Sequence, residues 1–374
     1  MRNTVHYLPF PISARLRPRP DCVSSSLCRC PAATILFCFC TTIGIFTAYH
    51  GGIFDDNFWA QTAITSDLID EGSFPRNASI GSTAFNFKFG LLNANAQPFA
   101  SILNKLGLSD DKITTEDFDN VSLNDVEIVT AWSMNHHAEA VRLCKNILQY
   151  DELLNKTHLR LISYNLGDVP PSVVDSFLRS CSIAKMRTFN FTGLPPYIRD
   201  LLQYRWKPLI IADVLRDSKA VLWIDSSTMF IKDAVSLQDI FEREAKEHQG
   251  VWLFEQTCHS IAAATNPLMY KYFPMAEQQA ISMDMWGANI MLWIGRTNVK
   301  VEIMKPFVEC ALIEDCMSPP GSELHCVFPA GNARLYANCH RYDQAAINLI
   351  LALRSGLNAS KYTISNSVLK ARRL

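Results

Sequence analysis

The sequence predicts an α/β domain with a mostly parallel, Rossmann-like sheet flanked by helices, over residues 121–374. From residue 126 onward, short apolar runs rich in β-branched residues alternate with segments whose apolar residues recur at helical spacing. Strand–helix–strand units of this kind pair their strands in parallel and cross over with a right hand. We expect three segments before this domain: a cytosolic tail over 1–31, a transmembrane helix over 32–49 and a luminal stem over 50–120.

The elements of the domain are predicted in chain order. Strands are expected over 126–132, 159–166, 186–191, 220–224 and 250–255. Helices are expected from residue 138, where apolar residues recur at helical spacing as far as 148, and over 171–182, 207–217 and 339–351. Pro171 and Pro208 suit the first turn of their helices, where no backbone N–H is needed. The fourth strand is apolar throughout, which is typical of a central strand.

Composition and charge favour a globular chain and exclude one class of partner. The 374 residues are 48% hydrophobic, and the formal net charge is −1. Because the chain has no basic face, no interleaving of basic and aromatic residues and no zinc-finger spacing, we expect no nucleic-acid partner.

The N-terminal residues have the charge pattern of a single-pass membrane protein. Residues 32–49 carry no charged side chain, and as a helix they span roughly 27 Å, close to the hydrocarbon thickness of a bilayer. Five arginines precede this run, whereas Asp55 and Asp56 follow it. This asymmetry predicts a cytosolic N-terminus and a luminal remainder. The alternatives are a cleaved signal peptide, which has a shorter polar lead, and a buried core helix, which leaves the arginines unexplained.

Sequons and cysteines agree with a luminal domain. All five Asn-x-Ser/Thr sequons follow the predicted membrane helix, as expected for a glycoprotein of the secretory pathway. They are Asn77, Asn120, Asn155, Asn190 and Asn358. Seven cysteines also follow it, and in an oxidising lumen we expect disulfides with one cysteine left over. The candidate pairs are Cys144–Cys181, Cys310–Cys316 and Cys326–Cys339. A zinc site built from the last four cysteines and His340 is the alternative, but their spacing matches no common zinc pattern.

Asp225 is the first residue after the fourth predicted strand and begins the segment Asp225-Ser226-Ser227. Ligands of open α/β sheets bind beyond the carboxyl ends of the strands, so this carboxylate has the position of a functional residue. The structural alternative is an ordinary turn, because Asp and Ser side chains bond readily to their own backbone.

Three other segments contribute candidates. Lys207 opens a predicted helix beside that strand, where its ammonium either reaches an anionic phosphate or stays solvated. Gly287 and Ala288 lie between two apolar runs, where the backbone either approaches a ligand or simply turns. The last predicted helix begins with polar residues that suit anion binding, acid–base chemistry or ordinary capping. These residues are His340, Arg341, Asp343 and Gln344.

The motifs YRWKP, W-x-D-S-S and C-H-R-x-D-Q carry a family resemblance; they occupy residues 204–208, 223–227 and 339–344. Together with the type II anchor they resemble nucleotide-sugar glycosyltransferases of the GT-A fold. More closely, they resemble an uncharacterised invertebrate family, a domain-of-unknown-function family expanded in nematodes. The resemblance covers about residues 120–355, and it implies a GT-A-like domain with a nucleotide sugar as donor substrate.

The resemblance also implies a metal site. In GT-A enzymes two acids after the fourth strand hold a divalent cation, usually manganese, which holds the diphosphate. Asp225 occupies the place of the first acid, but Ser227 occupies the place of the second. A hydroxyl is a poorer ligand for a hard cation than a carboxylate, so manganese binding is in doubt. Either His340 compensates as a ligand, or Lys207 and Arg341 stabilise the diphosphate without metal.

Roles for the remaining candidates follow from the same resemblance. Asp343 corresponds to an acid on the acceptor side and, in an inverting enzyme, to the general base. Gln344 supports it there. Gly287 and Ala288 correspond to the floor beneath the donor sugar.

The expected function is therefore a hexosyl-type glycosyltransferase that transfers sugar to a glycan or glycoprotein hydroxyl. We expect it in the Golgi or endoplasmic reticulum membrane, with its C-terminus in the lumen. The alternative is a non-catalytic GT-A-fold binding protein of the secretory pathway, which the missing second acid favours. A luminal hydrolase is a weaker alternative, because the chain has no Gly-x-Ser-x-Gly elbow.

Overall fold

A computed structural model describes residues 90–110, 121–155, 158–231, 236–364 and 369–371. All of them belong to the unit Phe85–Leu374. The tail predicted over 1–31 and the membrane helix predicted over 32–49 lie outside the described residues. Within the described ranges, no helix combines the length and the apolar character needed to cross a bilayer.

The helices and strands of the described residues are numbered in chain order. The helices are α1 (Gly90–Ala96), α2 (Ala100–Lys105), α3 (His137–Ile147), α4 (Asp151–Leu154), α5 (Pro171–Ser180), α6 (Trp206–Arg216), α7 (Leu237–Glu247), α8 (Glu277–Ser282), α9 (Thr297–Val299), α10 (Lys305–Leu312), α11 (Glu314–Met317) and α12 (Tyr342–Arg354). The strands are β1 (Val126–Trp132), β2 (Leu161–Asn165), β3 (Ala184–Thr188), β4 (Ala220–Ile224), β5 (Thr228–Phe230), β6 (Val251–Leu253), β7 (Gln256–Ser260), β8 (Asp284–Trp286), β9 (Ile290–Ile294) and β10 (Leu369–Ala371).

The central sheet has six strands in the order β3-β2-β1-β4-β9-β6. β1 pairs in parallel with β2 and β4, and β2 pairs in parallel with β3. β9 runs antiparallel to both of its neighbours, β4 and β6. Two small antiparallel pairs, β5 with β10 and β7 with β8, complete the described strands. The α/β prediction is confirmed, with one antiparallel strand in an otherwise parallel sheet.

Some elements match the predicted bounds and others differ for physical reasons. β1 and β4 begin and end where the apolar runs predicted. β9 was not predicted, because a buried run of five apolar residues has no periodicity that separates strand from helix. α12 begins at Tyr342 rather than at residue 339, because the backbone of Arg341, with φ of −110° and ψ of 46°, lies outside the helical range.

Each face of the sheet packs against its own helices. On β4, Val221 and Trp223 belong to a core shared with α6, α10 and α12, whereas Leu222 and Ile224 belong to a core shared with α3, α5 and α7. This alternation follows from the two-residue period of a strand. Residues 90–110, which the sequence placed in the stem, also contribute to the first core, through buried Leu92 of α1 and other apolar residues of that segment.

The disulfides join the cysteines that the sequence suggested. They are Cys144–Cys181, Cys310–Cys316 and Cys326–Cys339. The zinc alternative is excluded, because a cysteine in a disulfide has no thiolate to offer a metal. Cys258 is disulfide-bonded as well, so the expectation of one cysteine left over is wrong.

Three of the predicted glycosylation sites lie in described and exposed positions: Asn155, Asn190 and Asn358. The side chains of Asn190 and Asn358 each accept the N–H of the residue two positions later, which forms an Asx turn. Asn77 and Asn120 lie outside the described residues.

Candidate functional site

Asp225 lies at the carboxyl edge of the sheet, directly after β4. Its N–H donates to Asn289 O at 2.8 Å and so extends the pairing of β4 with β9 by one residue. Its carbonyl accepts the N–H of Thr228 at 2.9 Å, which closes a turn through Ser226 and Ser227. The turn interpretation is therefore correct for the backbone, while the carboxylate points to a different partner.

That partner is Lys207, whose side chain is almost completely buried in the first turn of α6. Its Nζ lies 3.2 Å from Asp225 Oδ1 and 2.7 Å from Asp343 Oδ2. It also donates a hydrogen bond to Ala288 O at 3.1 Å. The contact with Asp343 is not a well-directed hydrogen bond, but at this distance between buried opposite charges the ion pair dominates. Four predicted site residues thus meet at one ammonium group.

Two aromatic rings cover other sides of this ammonium. Lys207 Nζ lies 5.3 Å from the ring centroid of Tyr204 and 5.6 Å from that of Trp223, within the range of cation–π attraction. Trp223 Nε1 also donates to Asp225 Oδ1 at 2.8 Å and fixes the carboxylate. Tyr204 has a left-handed backbone, with φ of 54°, which is strained for a residue with a side chain. Strain of this kind persists only where the surrounding structure enforces it.

The cluster contains two acidic side chains and one basic side chain. Burial opposes the charge on Lys207, but the carboxylates of Asp225 and Asp343 outweigh it and raise the pKa of Lys207 above its ordinary value. Burial raises the pKa of Asp343 above its ordinary value, although Lys207 acts against it. One ammonium is therefore shared between two acids, and the edge of the sheet is an electronegative site.

The exposed part of this site consists of hydrogen-bond acceptors and a hydroxyl. The side chain of Asp225 is 28% exposed, whereas those of Lys207 and Asp343 are 3% and 7% exposed. Asp225 Oδ2 and the hydroxyl of half-buried Ser227 form no hydrogen bond with any described residue. A ligand that approaches this edge therefore meets Asp225 Oδ2 before it meets either of the other charges.

The segment Gly287–Asn289 is held in place by its neighbours. Asn348 of α12 accepts the N–H of Trp286 at 2.9 Å and donates to Trp286 O at 2.7 Å, which joins α12 to β8. The side chain of Asn289 donates to Glu255 and occupies the space above Gly287, where a Cβ would lie 2.2 Å from Asn289 Oδ1. A side chain at position 287 would therefore displace the amide of Asn289 from its present place.

In this conformation the ammonium of Lys207 is not available to a diphosphate, so its expected role as a diphosphate ligand stays a prediction. An ammonium has three N–H donors, and here one carbonyl and two carboxylates surround it. A phosphate would have to displace these partners from a buried position while adding negative charge next to Asp225 and Asp343.

The expected role of His340 as a metal ligand is wrong. His340 is fully buried; its Nδ1 accepts the N–H of Asn266 at 3.1 Å, and its Nε2–H donates to Met317 O at 3.0 Å. Burial lowers the pKa of His340 to about 4, so the ring is neutral. Both ring nitrogens are engaged, and the residue connects two loops instead of facing Asp225.

The other residues at the start of α12 take different positions. Asp343 is 5% exposed, so in this conformation its carboxylate faces Lys207 and not an acceptor. The amide of Gln344 lies against Met285, with Nε2 2.9 Å from the sulfur. Arg341 is half-buried immediately before the helix.

The donor set does not fit a divalent cation. Among the described residues, no group of three or more His, Cys, Asp or Glu side chains is arranged to hold a metal ion. Manganese at Asp225 would have one carboxylate and the Ser227 hydroxyl as protein ligands, next to the ammonium of Lys207. Hard cations require several oxygen ligands with net negative charge, so these residues do not form the metal site that the resemblance implies.

Several residues of the site were not among the predicted site residues, although two of them open quoted motifs. Trp223, Asn348 and Tyr204 all lie inside or beside the motifs that carry the resemblance. Their position two residues before Asp225, five after Asp343 and three before Lys207 is the signal that was available. Glu255 and Asn289 carried no such signal, because their pairing depends on β6 and β9 being neighbours.

Comparison with known proteins gives one family and several structures. A family model described as a protein of unknown function (DUF1647) matches residues 96–212, a span that includes Lys207 and ends before Asp225. No curated protein sequence shows significant similarity to the chain.

The solved structures similar to this chain include glycosyltransferases. The apo structure of the bifunctional glycosyltransferase WbbM has a TM-score of 0.37 and 15% identity; the match covers 67% of this chain and 40% of WbbM. Core-mannan synthase A of Aspergillus fumigatus, in its Mn/GDP form, has a TM-score of 0.41 and 9% identity over 69% of this chain and 76% of that one. Mouse xyloside xylosyltransferase 1 has a TM-score of 0.38 and 9% identity over 64% and 84%. These scores are below 0.5, so the comparisons by themselves assign no activity to the chain.

Proposed function

We propose that the chain is a GT-A-type glycosyltransferase that moves a sugar, of hexosyl type, from a nucleotide diphosphate sugar to a hydroxyl of a glycan or glycoprotein. The observation that carries this proposal is the open carboxylate oxygen of Asp225 at the carboxyl edge of the central strand. This edge is where α/β sheets bind their ligands. The W-x-D-S-S and C-H-R-x-D-Q motifs, which resemble those of the nematode-expanded family, supply both acids of the cluster.

In this proposal Asp225 binds hydroxyl groups of the donor. A carboxylate accepts hydrogen bonds from a sugar diol, and the fixed orientation of Asp225, held by Trp223 and Lys207, makes the acceptor geometry rigid. In the reaction, the bond between the anomeric carbon and the diphosphate oxygen breaks and a bond to the acceptor oxygen forms. The nucleoside diphosphate leaves, and the proton of the acceptor hydroxyl passes to the departing diphosphate or to solvent.

The proposal includes a subcellular localisation. We propose a type II protein of the Golgi or endoplasmic reticulum membrane, anchored by residues 32–49, with the domain in the lumen. The disulfides of the described residues support an oxidising compartment. The exposed positions of Asn155, Asn190 and Asn358 support access by the glycosylation machinery.

The test is donor binding and turnover by the purified full-length chain. UDP-glucose, UDP-galactose, UDP-N-acetylglucosamine and GDP-mannose are added separately, and thermal stability and release of free nucleotide are measured. We expect one donor to raise the melting temperature, since a ligand at 100 times its Kd stabilises by about 2.7 kcal/mol. Asp225→Asn should remove this shift, whereas Asp175→Asn, at an exposed position of α5, should retain it. If no donor stabilises or is consumed, the proposal is wrong.

A non-catalytic binder of nucleotide sugars is the second candidate, and one observation favours it. Asp343, expected as the general base, is buried and paired with Lys207. A binder would show the thermal shift and its loss in Asp225→Asn, but no release of nucleotide in the presence or absence of glycan acceptors. A transferase releases nucleotide and does so faster when its acceptor is added.

A further inference from the structure

The positive charge at the carboxyl edge of the sheet comes from a lysine side chain. Lys207 is the positive charge between Asp225 and Asp343, and three oxygen atoms lie 2.7–3.2 Å from its Nζ. The rings of Tyr204 and Trp223 cover other sides of the same ammonium. The site is thus built around an ammonium. Two carboxylates balance its charge, a carbonyl accepts its hydrogen bond, and two aromatic rings contact its remaining sides.

We infer that Lys207 supplies to Asp225 the positive charge that a divalent cation would supply and keeps such a cation out, so that ligand binding at Asp225 requires no metal ion. The inference concerns the same site as the proposed function and rests on it only for the identity of the ligand. Its metal part can be tested without any sugar donor.

Two physical arguments support the inference. First, a divalent cation at Asp225 would lie next to the ammonium, which is itself 3.2 Å from the same carboxylate and repels a second positive charge. The ammonium cannot move away easily, because the side chain of Lys207 is buried and because Asp225 and Asp343 attract its charge.

Second, no described residue offers Asp225 a second carboxylate that is free to bind a cation, because the nearby Asp343 is paired with Lys207. The hydroxyl of Ser227 is uncharged, and His340 uses both ring nitrogens for backbone groups. Affinity of a hard cation depends on the number and charge of its oxygen ligands. One carboxylate and one hydroxyl, with an ammonium nearby, give weak binding.

The test uses manganese alone and reads free Mn²⁺ by electron paramagnetic resonance in the full-length chain. We expect wild type to leave the signal of free Mn²⁺ unchanged at millimolar concentration, and Asp225→Asn to behave in the same way. Lys207→Met should bind Mn²⁺ at least about tenfold more tightly, because it leaves Asp225 and Asp343 without their ammonium. The double variant Lys207→Met/Asp225→Asn should lose this gain.

The inference is overturned if wild type binds Mn²⁺ with submillimolar affinity and Asp225→Asn abolishes that binding. Both of these proteins retain Lys207, so the comparison does not depend on the folding of the Lys207 variant. A second measurement is the thermal shift with each nucleotide sugar in EDTA and in MnCl2. Equal shifts support the inference, and a shift seen only with MnCl2 contradicts it. If no donor binds in either buffer, the proposed function fails while the Mn²⁺ result still decides the role of Lys207.

Discussion

Replacing Lys207 by methionine should destabilise the fold far more than the same replacement at a surface lysine. Methionine keeps most of the apolar stem of Lys207 but removes the ammonium that faces Asp225 and Asp343. Asp343, which is 5% exposed, would remain as a buried carboxylate with no positive partner. The matched control is Lys219→Met, because Lys219 pairs with Asp125 at 3.0 Å, a similar distance, in a partly exposed position.

The magnitudes differ because of burial. Removing one partner of a buried ion pair costs about 3–5 kcal/mol, since the other charge stays in a low-dielectric environment. Breaking an exposed pair such as Lys219–Asp125, in which the lysine side chain is 48% exposed, costs about 0–1 kcal/mol. With roughly 2–4 °C per kcal/mol for a domain of this order of size, Lys207→Met should lower the melting temperature by at least about 6 °C.

The assay is calorimetry and urea denaturation of the full-length chain at neutral pH, with EDTA present so that no metal ion substitutes for the ammonium. The double variant Lys207→Met/Asp343→Asn removes the buried charge together with its partner, and we expect it to recover part of the lost stability. The reasoning is refuted if Lys207→Met costs no more than Lys219→Met. It is refuted equally if the double variant is less stable than Lys207→Met alone.

Three further outcomes are expected. Glu309 of α10 is buried, and burial raises its pKa from an ordinary 4.5 to about 7. Between these two pH values the folded state keeps a proton that the unfolded chain releases, so the free energy of unfolding falls by about 3 kcal/mol as pH rises from 4.5 to about 7. Glu309→Gln should flatten this part of the pH–stability curve. An unchanged slope would contradict the raised pKa of Glu309. Replacing Cys144 and Cys181 together by alanine removes a cross-link between residues 37 apart and should cost about 3–4 kcal/mol in urea denaturation; a loss below about 1 kcal/mol would show that the bond contributes little. Asn190→Gln and Asn358→Gln should each remove one glycosidase-sensitive step in electrophoretic mobility after expression in a eukaryotic secretory pathway, and unchanged mobility for both would count against a luminal domain.

The sequence predicted those strands and helices of the domain that carry a local sequence signal. β4 is a continuous apolar run that ends at an acid, and its bounds were predicted as observed. β9 has the same apolar character and is followed by Gly295, but its run was not assigned to a strand. Its place beside β4, and its reversed direction, depend on contacts between residues about 70 positions apart, which no local pattern encodes.

The sequence predicted which residues belong to the site but not which of them contact one another. Asp225, Lys207 and Asp343 each stand at the end of an element, and that position is visible in the sequence. Whether an ammonium faces a phosphate or a carboxylate depends on distances between α6, β4 and α12, and the answer here is carboxylate. His340 shows the same limit, because it is only three residues from Asp343 in the chain, yet its ring bonds to Asn266 and Met317.

Ser227 and Lys207 offer two separate explanations for weak metal binding, and a pair of variants separates them. If the missing acid alone prevents binding, Ser227→Asp should bind Mn²⁺ as tightly as Ser227→Asp/Lys207→Met, because the ammonium would then be irrelevant. If Lys207 is the resident cation, Ser227→Asp alone should gain little, since the new carboxylate lies at an edge where the ammonium already neutralises one acid. The double variant, with an additional carboxylate and no ammonium, should then bind much more tightly than either single variant. Electron paramagnetic resonance of free Mn²⁺ measures all four proteins under one condition, and the half-buried position of Ser227 allows the aspartate to reach solvent without a new buried charge. Equal affinities of Ser227→Asp and the double variant would assign the loss of the metal to the serine and leave Lys207 only a structural role.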